Sequence, residues 1–164
     1  MRLNPHRGLT LLELVIVIAV LAVLGALAVP SLDKRLDLLR LGSAAEALVA
    51  DLNEARFEAA RQGRAIHVVM QAGPGWCWAV VTDPGCVCGQ RQACELRSAT
   101  PSDHAGVRLS QAAAVQMLSS GRADGAASAT LESRRGATLR VDVQQLGRAR
   151  ICTPGATSTR YPAC

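Results

Sequence analysis

Two groups of side chains in this sequence have types and spacings that could do chemistry. The first consists of six cysteines, at positions 77, 86, 88, 94, 152 and 164. An even number of cysteines, all placed after a hydrophobic N-terminal segment, is typical of disulfides in an oxidising compartment. The second is a run of arginines near the C-terminus, whose guanidinium groups could bind phosphates through paired hydrogen bonds.

The cysteines fall into two sets along the chain. The first set lies within 18 residues and comprises Cys77, Cys86, Cys88 and Cys94. Zinc binding is a weaker interpretation than disulfides, because one residue between Cys86 and Cys88 is shorter than the usual zinc-site spacing. Three pairings remain open, and a direct Cys86–Cys88 bond is the least favourable because so short a ring would be strained. We predict that the second set, Cys152 and Cys164, closes a C-terminal loop.

The C-terminal part of the chain is basic and alternates between polar and apolar residues. Between positions 122 and 164 there are seven arginines and three acidic residues, a surplus of 7 − 3 = 4 positive charges. Strict alternation over 138–143 and again over 147–152 predicts the two strands of an antiparallel hairpin. The surplus permits an anionic partner without requiring one, because a basic surface is often simply solvated.

The faces of these two strands predict their register. A three-residue connection would place Asp142 opposite Arg148 and Arg140 opposite Arg150, so that every charge lies on one side. A two-residue connection would mix charged and apolar side chains on both faces. We therefore predict an exposed patch of Arg140, Arg148 and Arg150, the last two about 6.5 Å apart along their strand.

One segment is long and apolar enough to cross a membrane. Residues 14–32 carry no charge and would span about 28 Å as a helix, close to the thickness of a bilayer's apolar core. Arg2 and Arg7 precede it, which favours a cytoplasmic N-terminus and export of the rest. A signal peptide cut after Ala-Leu-Ala at 26–28 and an uncut anchor are alternatives. Neither explains Glu13, whose carboxylate costs about 3 kcal/mol in lipid.

The sequence GLTLLE at 8–13, followed by this apolar stretch, resembles the processing site of type IV pilins and type II secretion pseudopilins. The resemblance implies that a prepilin peptidase cuts between Gly8 and Leu9 and methylates the new N-terminus. The family prefers phenylalanine where this chain has Leu9. It also implies that Glu13 serves assembly, and in a filament its carboxylate could pair with the α-amino group of a neighbour's Leu9.

Downstream of the apolar stretch, the pattern predicts more helix and then strands. Small and apolar residues spaced by three and four form one stripe: Leu41, Ala45, Leu48, Leu52, Ala55 and Ala59. The stripe predicts core packing, with Asp51 and Arg56 outside it. Strands are predicted at 65–70 and 76–81, the second covered on both faces. Shorter strands are predicted at 107–109 and 115–118, with the rest of 100–129 unassigned.

These elements predict an α+β protein of the type IV pilin-like fold, in which a long N-terminal helix packs on an antiparallel β-sheet domain. The expected organisation is a leader at 1–8, a transmembrane half-helix at 9–32, a soluble half-helix at 33–63 and a β domain at 64–164. The sequence has no nucleophile–base pair, phosphate-binding loop or metal spacing that would indicate an enzyme. We therefore expect no catalytic residues, metal or cofactor.

A wider resemblance joins the chain to the GspH and FimT group of minor pilins and pseudopilins, and DLNEARFEAA at 51–60 carries it in the helix. Gly147-Arg148-Ala149-Arg150 resembles the glycine-arginine-x-arginine motif of the FimT branch, which contributes to DNA binding in natural transformation. That implies a minor pilin whose Gly147, Arg148 and Arg150 bind extracellular double-stranded DNA. Arg140 rests on the predicted register alone. Without a stacking aromatic, binding should be directed to the backbone and independent of sequence.

The partners implied are DNA, other pilins, the prepilin peptidase and, before assembly, the inner membrane. The globular domain is then expected in the periplasm and later on the pilus at the cell surface. The alternative is a structural minor pilin or secretion pseudopilin near the filament tip, without affinity for DNA.

Overall fold

The structure, a computed structural model, describes residues 11–90, 92–155 and 160–164, without the side chains at 27, 28 and 30. In these ranges there are one helix and eight strands. They are α1 (Leu11–Gln62), β1 (Ile66–Gln71), β2 (Cys77–Val81), β3 (Glu95–Ala99), β4 (Val107–Ala112), β5 (Val115–Met117), β6 (Ala127–Ser133), β7 (Thr138–Val143) and β8 (Ala149–Cys152).

The strands form two antiparallel sheets of four strands each. One has the order β3-β2-β1-β5 and the other β4-β6-β7-β8. This confirms an α+β fold with a long N-terminal helix packed on antiparallel sheets. The strands predicted at 65–70, 76–81, 107–109 and 115–118 are confirmed as β1, β2, β4 and β5, whereas β3 and β6 were not predicted.

The part of the chain from Asp37 to Cys164 is a compact unit that carries its own core. All six residues of the predicted helical stripe are at most 2% exposed and belong to one buried cluster with side chains from both sheets. Among the described residues, α1 alone contains a stretch long and apolar enough to span a membrane by length and composition. That stretch and its large exposed aliphatic side chains are consistent with membrane anchoring.

Asp51 departs from the predicted pattern, because it is buried although it lies off the stripe. The indole Nε1 of Trp78 donates a hydrogen bond of 2.8 Å to its Oδ2, which compensates for lost hydration. Burial raises the pKa of Asp51, an effect opposed by this bond and by Arg97. The ring of His104 stacks on Trp78 at 5.5 Å between centroids, so this histidine has a structural role.

Strand β2 is buried on both faces, as its continuous apolar sequence predicts. Trp78 and Val80 face the main core. Ala79 and Val81 instead form a second cluster with Cys86, in a loop held by two disulfides. The bonds are Cys77–Cys88 and Cys86–Cys94. The predicted disulfides are thus confirmed, and the structure selects one of the three open pairings.

Candidate nucleic-acid interface

The hairpin of β7 and β8 forms as predicted, but the predicted register is wrong by two residues. Asp142 pairs with Arg150, and Arg140 pairs with Cys152, whereas the sequence predicted Arg148 and Arg150 opposite these two residues. The connection is 144–148 rather than 144–146. Because strand side chains alternate with a period of two, a shift of two leaves the aliphatic face intact. Hydrophobic alternation could not distinguish the two registers.

The longer connection arises because Gly147 belongs to the turn and not to the strand. Its φ of +73° is a left-handed conformation that glycine adopts readily. Its N–H donates to the carbonyl of Gln144 at 2.8 Å, and the N–H of Gln144 donates to the carbonyl of Arg148 at 2.9 Å. These bonds define a five-residue arginine turn, 144–148, at the tip of the hairpin. Gly147 is buried, so it shapes this turn rather than presenting a surface to DNA.

The arginine turn is seated on the neighbouring 118–123 loop. A Cβ atom on Gly147 would lie 2.3 Å from the carbonyl oxygen of Gly121, so the backbones approach more closely than a side chain at position 147 would allow. The N–H of Ala123 donates to the carbonyl of Gln145 at 3.1 Å. Arg56 of α1 donates from Nε to that same Gly121 oxygen at 2.9 Å. Sequence analysis missed this role of Arg56 because its partner lies 65 residues away.

The sequence predicted Arg140 in an exposed patch, but the structure does not place it there. Its Nη2 donates a 3.2 Å hydrogen bond to Oδ2 of Asp142, and its Nε lies 2.8 Å from Oδ1 without the alignment of a hydrogen bond. The two residues are on the same face of β7 because they are two apart. The Arg140 side chain is 38% exposed, and its charge is balanced within the strand.

Arg148 and Arg150 remain available to a ligand. Both are exposed, Arg148 in the arginine turn and Arg150 on β8, and within the described ranges neither forms an ion pair. Asp142 faces Arg150 across the hairpin but is engaged by Arg140. Arg122, on the adjoining 118–123 loop, is exposed as well. The tip of the hairpin therefore carries a local excess of positive charge.

A disulfide anchors the far end of β8. Cys152 and Cys164 are bonded, as predicted, with their Cα atoms 5.0 Å apart. Glu46 of α1 receives hydrogen bonds from Arg160 at 2.8 Å and from Tyr161 at 2.9 Å. Cys152 and Cys164 also approach Asp142 closely enough to suggest a metal site. Both sulfur atoms are used in the disulfide, so this group does not hold a metal as it stands.

Replacing both Cys152 and Cys164 with serine should lower the free energy of unfolding by about 3 kcal/mol. The reason is that the bond joins two residues 12 apart in sequence and so closes a loop in the unfolded chain. Denaturant unfolding monitored by circular dichroism measures this loss. The matched control is Glu46→Gln, which weakens the exposed tail contacts and should cost less than about 1 kcal/mol. Equal losses in the two variants would show that the disulfide adds nothing beyond those contacts.

The predicted processing residues Gly8 and Leu9 lie outside the described residues. Glu13 lies in the first turn of α1 and is exposed. A carboxylate at this end of a helix interacts favourably with the helix dipole.

Residues 44–147 match the protein family described as "Type II transport protein GspH". Residues 3–29 match the family described as "Prokaryotic N-terminal methylation motif". The family match to the globular part ends at Gly147, so Arg148 and Arg150 lie just beyond it. No curated protein sequence matches the chain.

Solved structures with a similar fold include the type IV minor pilin FimU of Pseudomonas aeruginosa. It is 21% identical over 71% of this chain and 98% of that chain, with a TM-score of 0.53. The minor pseudopilin EpsH of the type 2 secretion system of Vibrio cholerae is 18% identical, over 71% of this chain and 99% of that chain. Its TM-score is 0.51. At these identities the likeness shows the fold alone.

Proposed function

This chain belongs to the GspH family and is a type IV minor pilin or pseudopilin, and from that premise we propose that its arginine turn and β8 bind DNA. In this proposal a prepilin peptidase processes the chain, the inner membrane anchors it before assembly, and residues 37–164 face the periplasm. Assembly with other pilins then carries the domain to the cell surface. There it would meet extracellular double-stranded DNA for uptake in natural transformation.

One observation carries the assignment of DNA as the ligand. Arg148 and Arg150 are both exposed without a carboxylate partner in the described residues. They are held by a hairpin that is fixed at one end by Gly147 and at the other by the Cys152 disulfide. Guanidinium groups held in place lose less conformational freedom on binding phosphates than mobile ones do. Binding should be non-specific, because phosphate contacts carry no sequence information.

A structural role without DNA binding is the second candidate, and the position of β8 supports it. This strand lies at the edge of its sheet. Charged side chains on an edge strand discourage pairing with another chain. Arg150 on β8, together with Arg148 in the adjoining arginine turn, would then keep the subunit from aggregating, in a minor pilin or in a secretion pseudopilin.

Replacing Arg148 and Arg150 together with glutamine distinguishes these candidates. If both residues bind phosphates, the double variant should bind duplexes of any sequence more weakly, by the same factor for each. The slope of log affinity against log salt concentration should become shallower by about 2, since each lost contact removes roughly 0.9. Electrophoretic mobility shifts with the full chain in nonionic detergent, over a series of salt concentrations, measure both quantities.

The matched control removes the same number of positive charges from another turn. Arg134 and Arg135 lie between β6 and β7 and are exposed, so the double change Arg134→Gln with Arg135→Gln should leave the salt slope unchanged. Lysine at 148 and 150 should preserve most of that slope, because the charges remain. An unchanged affinity in the glutamine variant at 148 and 150 would contradict DNA binding at this hairpin.

A further inference from the structure

The single phenylalanine of the chain, Phe57, is 62% exposed on α1. The other aromatic side chains are committed within the fold. Trp76 and Trp78 are 1% and 0% exposed, and the hydroxyl of Tyr161 is bonded to Glu46. Phe57 is therefore the aromatic side chain that this domain leaves accessible to a ligand.

Phe57 lies in a shallow groove that adjoins the arginine turn. The groove has a volume of about 330 Å³. Its walls are formed by Asn53, Arg56, Phe57 and Ala60 of α1 and by Ser120 and Gly121 of the 118–123 loop. Gly121 is the residue whose carbonyl meets Gly147. The groove and the arginine turn therefore share a wall.

Arg56 lines this groove, and two further arginines follow residues at its shared wall. Arg56 uses Nε to bind Gly121, and no carboxylate contacts its guanidinium within the described part of the chain. Arg122 follows Gly121, and Arg148 follows Gly147, each one residue beyond the shared wall. Glu54, three residues before Phe57 on α1, is exposed. Glu58 is engaged by Arg61 in an ion pair.

We propose that Phe57 and Arg56 form a stacking platform that binds an unpaired base of a DNA strand held by the arginine turn. This inference rests on the proposed function, and it adds that the protein prefers DNA strands with unpaired bases. Aromatic rings beside cationic side chains bind single strands by stacking bases while the cations hold the phosphates. Bases inside a duplex are already stacked on their neighbours, so they cannot use the ring.

The test compares two single strands that differ only in their bases. An oligothymidine and an abasic oligonucleotide of the same length carry the same phosphates. The full chain in nonionic detergent should bind oligothymidine about tenfold more tightly than the abasic strand. This factor lies within the range of affinity changes found for stacking one base on an aromatic side chain. Phe57→Leu, which stays apolar but has no ring, should remove this difference and leave the affinity for the abasic strand unchanged.

A fluorescent variant reports on the same contact directly. Phe57→Trp keeps an aromatic ring at the position and should preserve the preference for oligothymidine. Because Trp76 and Trp78 are buried, the indole at position 57 would dominate any change in emission. Oligothymidine should quench that emission, and the abasic strand should not.

The inference and the proposed function fail in different ways. Arg148→Gln with Arg150→Gln should weaken binding to both strands and to a duplex, and unchanged binding to the duplex would overturn the proposed function. Equal wild-type affinities for the two strands, or an unchanged preference in Phe57→Leu, would overturn only the platform. It would also be overturned if Phe57→Leu blocked incorporation into filaments and left DNA binding unaltered, because the ring would then contact a neighbouring subunit.

Discussion

Replacing Gly147 with alanine is expected to lower the free energy of unfolding by roughly 4 kcal/mol. The backbone of Gly147 has a φ of +73°, a conformation that costs a residue with a Cβ about 1 kcal/mol. The larger part comes from contact, since the new Cβ would lie 2.3 Å from the carbonyl oxygen of Gly121. That oxygen belongs to the backbone and also accepts the Arg56 hydrogen bond, so a rotamer change cannot relieve the overlap. Denaturant unfolding measures the loss.

Gly136 provides the matched control, in the turn between β6 and β7. Its φ is +81°, and a Cβ there would have no atom within 4 Å. Gly136→Ala should therefore cost about 1 kcal/mol for the backbone conformation alone. The difference between the two variants isolates the contact with Gly121. If the two substitutions cost the same, the close seating of the arginine turn does not contribute to stability.

The sequence predicted the face of each strand in this hairpin but not the pairing. Alternation of Leu139, Val141 and Val143 indicated which side meets the core, and all three are buried. A shift of two residues leaves that side unchanged, so the register depended on Gly147, whose left-handed turn is invisible to hydrophobic periodicity. The prediction for Arg140 failed for a related reason, because Asp142 on the same face engages its guanidinium.

Contacts between distant segments account for the other differences. The spacing of the helical stripe correctly predicted which side of α1 is buried, but nothing local indicates that Asp51 is buried too. Its compensation comes from Trp78, 27 residues away. The cysteine spacings predicted a disulfide-rich loop, whereas the pairing Cys77–Cys88 follows from the loop folding over one face of β2. Strand β3 was not predicted because most of its side chains are exposed and lack apolar alternation.

Assembly into a filament should be abolished by Glu13→Ala, while cleavage at the predicted site after Gly8 continues. Glu13 lies in the first turn of α1, directly before the uncharged stretch at 14–32. In a filament this region would be surrounded by apolar helices, where a carboxylate costs several kcal/mol unless an opposite charge compensates it. The α-amino group exposed at Leu9 of a neighbouring subunit would supply that charge. Immunoblots of sheared filaments and of the membrane fraction measure incorporation and processing separately.

Two further variants distinguish charge from volume. Glu13→Gln retains the size of the side chain but not its charge, so it should fail in assembly as Glu13→Ala does. Glu13→Asp keeps the charge on a shorter side chain and should restore part of the incorporation. Normal incorporation of the glutamine variant would contradict an ion pair between subunits. Loss of cleavage in all three variants would show instead that Glu13 acts in recognition by the peptidase.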